Sequence, residues 1–304
     1  MIIASIDIGT NTVLLTVAEW DGKIARVLRD EARITRLGQG LNRDPNFLPE
    51  AQERALDVLK DYKKIADSLG ASKILAVGTA AFRKAGNANA FVQRVKQEAG
   101  IDIRIISGEE EARLSYLSAA HDFGDSENLY VLDIGGGSTE VITKSAAVSM
   151  DLGAVVLSES IVTHDPPTDD ELAAMEREIH RAIVGANLVS ALAAPLGVAP
   201  KATFVGLAGS VTTLSAIQQA LTVWDGAKVQ GSTLTLPQID DMIALFRKTT
   251  TAEKSKIPGM VKGREDTILA GTLILKAVME AVHVTQVTVS DRGLRFGLIY
   301  ESNS

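Results

Sequence analysis

Two short stretches of this 304-residue chain place glycines, small hydroxyls and carboxylates where phosphate chemistry needs them. One reads LYVLDIGGGSTEVITKS (129–145), the other IIASIDIGTNTVLLTVAE (2–19). Gly135, Gly136 and Gly137 have no Cβ to keep an anion from the main chain. Successive N–H groups there can form an anion-binding nest, with Ser138 and Thr139 adding hydroxyl donors. Gly9, Thr10, Asn11 and Thr12 offer a second, facing nest. The carboxylates Asp7, Asp133 and Glu140 suit a hard divalent cation that bridges to phosphate oxygens, Mg²⁺ first and Mn²⁺ second. Gly206, Gly209, Ser210, Thr212 and Thr213 form a third turn, between a strand and a helix, whose amides suit a phosphate.

The first two stretches share one grammar: an apolar strand, Asp-Ile-Gly, a small polar turn, a second strand. Asp7 matches Asp133, and Gly9 matches Gly135, at one constant offset. A repeat so long implies two similar α/β domains, since solenoid periods run about 20–50 residues. The first domain reads as three strands (IIASIDI, TVLLTVAEW and IARVLRDEA, with Asp21-Gly22 turning the last pair), then helix 49–69, strand 73–79, helix 87–99, strand 102–107 and a helix from Glu109. After the restart, 203–209 and 286–291 are strands that run straight into helices. The polar stretch HDFGDSENL is the expected boundary, giving domains 1–125 and 126–304, with the last helix free to pack back on the first.

Composition narrows the chemistry. Lys plus Arg is 31 against 38 Asp plus Glu, a net charge of −7. This argues against a general nucleic-acid or membrane-surface binder, which needs a broad cationic face. Aromatics at 4% are too few for a row of base-stacking platforms. The absence of cysteine removes disulfides, thiolate metal sites and cysteine nucleophiles. The four histidines show no metal-ligand spacing. With no cationic leader pattern and no apolar run of about 18 residues, the expected address is cytoplasmic.

Paired Asp-x-Gly hairpins with GLAGS (206–210) resemble the actin, sugar-kinase and Hsp70 ATPase superfamily. DIGTNT, TAAFR (79–83), ISGEEEARL (106–114), DIGGGSTE (133–140), DPPT (165–168), GREDTILAG (263–271) and SDRGLRFGL (290–298) narrow the resemblance. In this order they are similar to the exopolyphosphatase / guanosine-pentaphosphate phosphohydrolase family, in its short form without a C-terminal helical domain. The resemblance implies two tandem ribonuclease H-like α/β domains with an interdomain cleft. It also implies Glu111, the glutamate before Ala-Arg, as general base, and Arg83, at the end of TAAFR, as a contact to substrate phosphate. In relatives with ATPase activity, the turn at Gly209 and Ser210 contacts nucleotide.

The carboxylates next to Glu111 have local roles to fill. Ser107 and Glu110 fit a capping box, and Glu109 is spaced to pair with Arg113, which leaves Glu111 without a local partner. Two departures from the family pattern stand out: Val156 occupies the place of an arginine, and Phe296 that of a glutamate. Cationic runs at 247–264 (Arg247, Lys248, Lys254, Lys256, Lys262, Arg264) and 23–43 offer tracks for a polyanion despite the negative total.

The leading expectation is Mg²⁺-dependent removal of the terminal phosphoryl group of inorganic polyphosphate by a homodimer. Hydrolysis of guanosine pentaphosphate is the alternative within the family. An ATP-dependent small-molecule kinase and a nucleotide-gated assembly protein are the alternatives of other classes.

Overall fold

The computed structural model describes residues 1–23, 25–191 and 202–302. They form two compact units, Met1–Ser118 with Gly293–Ser304, and Ala119–Arg292. No helix among the described residues is long and apolar enough to cross a membrane.

The first unit is built on five strands: β1 (Ile2–Ile8), β2 (Thr12–Trp20), β3 (Ala25–Ile34), β4 (Lys73–Gly78) and β5 (Ile103–Ile105), in the order β3-β2-β1-β4-β5. The β1–β2 and β2–β3 pairs are antiparallel, whereas β4 and β5 run parallel to β1. Alternation along β1 sends Ala4, Ile6 and Ile8 into one core and Ile3 into another, so the central strand is covered on both faces. Helix Pro49–Ser68 starts with proline in its first turn and buries Ala51, Ala55, Leu56, Leu59, Tyr62 and Ala66 on one stripe. Each fully buried leucine there contributes about 1.5–3 kcal/mol. The Tyr62 hydroxyl keeps a partner in that core by donating to Val13 O at 3.1 Å.

The last helix, Leu294–Glu301, belongs to this unit. Its buried Arg295 donates through Nη2 to Asp30 Oδ2 at 2.9 Å and through Nε to Thr16 Oγ1 at 2.7 Å. Phe296 lies in the apolar cluster with Trp20, Ile299 and Tyr300, so this departure from the family pattern serves as packing.

The second unit repeats the plan. Its strands are β6 (Leu129–Ile134), β7 (Thr139–Ile142), β8 (Ala147–Met150), β9 (Thr203–Leu207), β10 (Thr233–Thr235) and β11 (Gln286–Val289), ordered β10-β11-β9-β6-β7-β8. Read from β8, the sequence β8-β7-β6-β9-β11 has the strand order and directions of the first sheet, with β10 added antiparallel at the edge. This is the ribonuclease H-like arrangement in duplicate. Helix Ile268–Ala281 is apolar over most of its surface and is buried from Ile268 to Leu275.

The division between units falls within helix Gly108–Phe123, upstream of the polar stretch. Asp122 accepts from Gln230 Nε2 and Arg292 Nη1, each at 3.0 Å, which ties the end of this helix to the second unit.

Candidate functional site

In the first unit, β1 and β2 are joined by a turn closed by Gly9 N donating to Thr12 O at 3.0 Å. A second segment braces it. Thr35 N and Arg36 N donate to Asn11 O at 3.0 and 2.9 Å, and Gly38 N donates to Thr10 O at 2.8 Å. Gly38 is required by space, because a Cβ there would lie 2.4 Å from Thr10 Cγ2. Thr10, Asn11 and Thr12 are buried, and Asn11 Nδ2 has no hydrogen-bond partner among the described residues. An unmade bond of this kind costs about 1–3 kcal/mol, so the turn has a donor to offer an anion. Asp7 sits on β1, two residues before Gly9.

Arg83 and Glu111, far apart in sequence, meet in the same unit. Gly78 ends β4 where a Cβ would stand 2.5 Å from the Phe82 ring. That space seats Phe82 among Phe47 and Phe91, with ring centroids 5.2 and 6.1 Å from Phe82, and anchors the one-turn helix Ala80–Lys84. Arg83, next to Phe82, donates through Nη1 to Ile106 O at 3.1 Å and to Glu111 Oε2 at 2.6 Å. Glu111 is in the first turn of helix Gly108–Phe123, with its side chain 15% exposed. Burial pushes the Glu111 carboxyl above the ordinary glutamate range, and the Arg83 guanidinium opposes that rise.

The neighbouring carboxylates differ from the sequence reading. Ser107 Oγ accepts from Glu110 N at 3.1 Å, but the Glu110 carboxylate pairs with Arg104 of β5 instead of returning to close a capping box. Arg113 pairs with Glu301, not with Glu109. Glu111 has the partner that sequence alone did not supply. A helix-surface pair contributes only about 0.2–0.5 kcal/mol, so tertiary partners override it readily.

The second unit repeats the glycine turn. Gly135 N donates to Ser138 O at 3.0 Å. Helix Ala154–Ile161 starts against it, with Ala154 N donating to Gly135 O and Val155 N to Gly136 O, both at 3.0 Å. Val156 N donates to Gly136 O at 3.1 Å, so a valine backbone meets the turn where the family resemblance implies an arginine. The Thr139 hydroxyl donates to Leu152 O and is buried, a structural bond in place of a phosphate contact. Ser138 is buried beside it. Asp133 and Glu140 are directly paired across β6 and β7, and buried Glu140 accepts from Ser149 Oγ at 2.9 Å.

Among the described residues no group of three or more histidines, aspartates and glutamates is arranged to hold a metal. Asp133 and Glu140, opposite one another in register, are of the ligand type that Mg²⁺ takes, commonly one or two carboxylates with water and substrate phosphates completing the shell.

At the third turn, β9 stops at Leu207 instead of running to 209, because Ala208 adopts φ 66° and helix Ala208–Gln218 begins there. Gly209 leaves room for Arg264, since a Cβ would lie 1.9 Å from Arg264 Nη2. Ser210 is buried, and a Cβ on Gly271 would come 2.4 Å from its Oγ. Thr213 Oγ1 donates to Gly209 O at 2.6 Å, and Thr212 Oγ1 to Ala208 O at 3.1 Å. Arg264 belongs to the GREDTILAG motif and to a basic run, but nothing in the sequence placed it at this turn. Burial pushes its guanidinium down to about 10.

The cationic runs are less continuous than their sequences. Lys254 is buried, and desolvation lowers its ammonium against the opposing fields of Asp165 and Asp266. Arg247 pairs with Asp169 at 2.6 Å. In the other run, Arg26 pairs with Glu19, Arg29 with Glu31 and Arg33 with Asp61. Lys256 and Lys262 remain exposed.

The Ppx/GppA phosphatase family model matches residues 16–304. The chain is 32% identical over 315 residues to exopolyphosphatase 2 of Mycobacterium tuberculosis, covering 97% of each chain. It is 31% identical to the bifunctional 3-dehydroquinate synthase/phosphatase of Fusobacterium nucleatum, across 98% of this chain and 46% of that one. Among solved structures, the Aquifex aeolicus PPX-GPPA enzyme matches with 32% identity and a TM-score of 0.80, covering 99% of each chain. An exopolyphosphatase from Cytophaga hutchinsonii matches with 26% identity and a TM-score of 0.87, over 99% of this chain and 97% of that one. With the glycine turns, the Arg83–Glu111 pair and the duplicated sheet all in place, the chain belongs to the Ppx/GppA phosphatase family and is therefore a hydrolase.

Proposed function

We propose that this protein is an Mg²⁺-dependent exopolyphosphatase that releases orthophosphate from the end of inorganic polyphosphate. The observation that carries the reading is the half-buried Glu111 carboxylate held 2.6 Å from Arg83. It supplies a proton acceptor and a phosphate-binding fork on one unit. A glutamate lifted by burial is suited to general base catalysis, and a guanidinium to bidentate phosphate contact.

Glu111 accepts a proton from water as the water oxygen bonds to the terminal phosphorus. The P–O bond to the bridging oxygen breaks, the shortened chain leaves with that oxygen, and orthophosphate is released. In the first unit, Arg83 and the amides of the Gly9–Thr12 turn are suited to position phosphate and offset its charge; in the second unit, the amides of the Gly135–Thr139 and Gly209–Ser210 turns are. Such positioning and electrostatic stabilisation dominate phosphoryl transfer. Arg264 brings to the second unit a cation that Val156 does not supply. Asp133 and Glu140, paired across β6 and β7 of the second unit, would hold Mg²⁺, which when bound would neutralise phosphate charge.

The test is phosphate release from long-chain polyphosphate, guanosine pentaphosphate and ATP, each with Mg²⁺. Polyphosphate should be the preferred substrate. Release from guanosine pentaphosphate alone would move the assignment to the alternative activity, and turnover of ATP alone would overturn both.

Asp133→Asn should raise the Mg²⁺ concentration needed for half-maximal activity, because a neutral amide is a poorer ligand for a hard cation than a carboxylate. A metal titration identical to wild type would detach Asp133 from the metal.

Charge reversal at the exposed Lys256 and Lys262 should raise KM for long polyphosphate more than for short chains, and flatten its salt dependence, while kcat changes little. Fewer counterions are released when fewer cations engage a polyanion. KM measured at two ionic strengths decides it, and equal losses at all chain lengths would reduce these lysines to a solvated face. Lys254→Glu is no substitute, since it would bury an acid near Asp165 and Asp266.

A further inference from the structure

We propose that Arg83 couples substrate binding to the strength of the base: the guanidinium that donates to Glu111 in the free protein also takes the substrate phosphate, so binding draws it off the carboxylate and leaves Glu111 a stronger proton acceptor when substrate is present. The inference rests on the proposed function and adds to it a dependence between two residues of the site.

The geometry makes the two roles of Arg83 compete. Nη1 is already shared between Ile106 O at 3.1 Å and Glu111 Oε2 at 2.6 Å. Glu111 is 15% exposed and Arg83 29% exposed, so the carboxylate is the more sheltered partner and the guanidinium the one open to an anion. Among the described residues, Arg83 is the charged group that acts on Glu111. On Glu111's own helix, Glu109 is exposed, Glu110 is turned to Arg104 of β5, and Arg113 is turned to Glu301 of helix Leu294–Glu301. Arg83 supplies the field that counters the burial of Glu111.

A phosphate anion on Arg83 acts twice on Glu111. It draws the guanidinium toward itself, and its own negative charge disfavours a second anion nearby. Both effects raise the affinity of Glu111 for a proton, by about one pH unit for a charge brought within hydrogen-bonding range. Before substrate arrives, Arg83 offsets part of the rise that burial imposes on Glu111. After it arrives, the same carboxylate draws the proton of the attacking water more strongly.

The direct readout is proton uptake on binding. Methylenediphosphonate, whose P–C–P linkage is not hydrolysed, would be titrated with Mg²⁺ into the full-length protein by calorimetry. The titration would use two buffers of different ionisation enthalpy at about pH 6, within the range to which enzymes tune catalytic glutamates. Wild type should take up more protons than Glu111→Gln, and this difference cancels the ligand's own titration. In Arg83→Met, Glu111 is raised before binding, so the excess over the double variant Arg83→Met/Glu111→Gln should shrink. In wild-type kinetics the acid limb of kcat should lie about one unit above that of kcat/KM.

Equal uptake by wild type and Glu111→Gln, with both proteins binding the ligand, would overturn the coupling while leaving Glu111 as base. Full phosphate release by Glu111→Gln would instead overturn the proposed catalytic role.

Discussion

Glu111→Gln is expected to lower kcat for polyphosphate about 100- to 10,000-fold, the usual loss when a general base is removed. The amide has the same shape and its oxygen can still accept from Arg83, but it cannot take a proton from water. Affinity for polyphosphate should therefore stay near wild type. Stability gives an independent sign. The Glu111 carboxyl is raised in the folded protein. Its contribution to stability is fully present below the unfolded glutamate pKa and is lost as pH rises through the folded one. Once pH has risen through the folded value, the sheltered carboxylate is a burden, so there the neutral amide should match or exceed wild type in Tm. Loss of turnover with an intact Tm separates a chemical defect from a folding defect. Glu110→Gln is the comparison, because that side chain pairs with Arg104 outside the proposed chemistry and such an exposed pair contributes at most about 1 kcal/mol. Similar, small losses of activity in both variants would remove Glu111 from the role of base.

The parts of this site that sequence disclosed are those written within a few consecutive residues. The two Asp-Ile-Gly hairpins share one offset and fold into turns with the same 3.0 Å closing bond, Gly9 N to Thr12 O and Gly135 N to Ser138 O. Those turns demand small residues locally, so their signal is local. The parts that escaped depend on chain segments brought together by folding. Gly38 braces the first turn from outside the motifs, and nothing in its neighbours along the chain announces it; Gly153, at the head of the stretch that holds Val156, lies against the second turn, a contact its motif does not reveal. Arg264 packs on Gly209, and Arg113 reaches Glu301, a partner 188 residues away. Lys254 resembles its exposed neighbours by type, yet it is buried. Strands β8 and β10, at four and three residues, are too short for alternation to mark them. The duplicated sheet was legible because its central strands, β1 and β6, are mostly apolar and each ends in Asp-Ile before a glycine turn, so the same grammar is written twice.

Gly153→Ala is expected to damage both stability and phosphate binding, although it adds a single methyl group. Gly153 has φ −127°, a conformation alanine adopts without strain, so the effect is one of space alone. The new Cβ would stand 2.3 Å from Gly136 C and O and 2.4 Å from Gly137 N. Every one of those atoms is backbone, so relief requires the start of helix Ala154–Ile161 or the glycine turn to move. Either movement stretches the bonds from Ala154 N and Val155 N to the turn, each contributing about 0.5–1.5 kcal/mol. Together with overpacking, which typically costs about 1–3 kcal/mol, this should lower Tm by several degrees and weaken phosphate binding at the displaced amides. Two other glycines make the argument specific. Gly209→Ala collides with the Arg264 guanidinium, the far end of a flexible side chain, so it should spare Tm more than Gly153→Ala while still reducing activity. At the end of helix Asp169–Gly185, an added Cβ on Gly185 meets nothing within 4 Å, and alanine there should stabilise by about 0.4–1 kcal/mol through the unfolded chain. Thermal unfolding and phosphate-release rates of the three variants should thus rank Gly153→Ala below Gly209→Ala in Tm, with Gly185→Ala at or above wild type. A Gly153→Ala protein with wild-type Tm and turnover would mean that the turn tolerates displacement and that its close contact with the helix start is not what shapes the phosphate site.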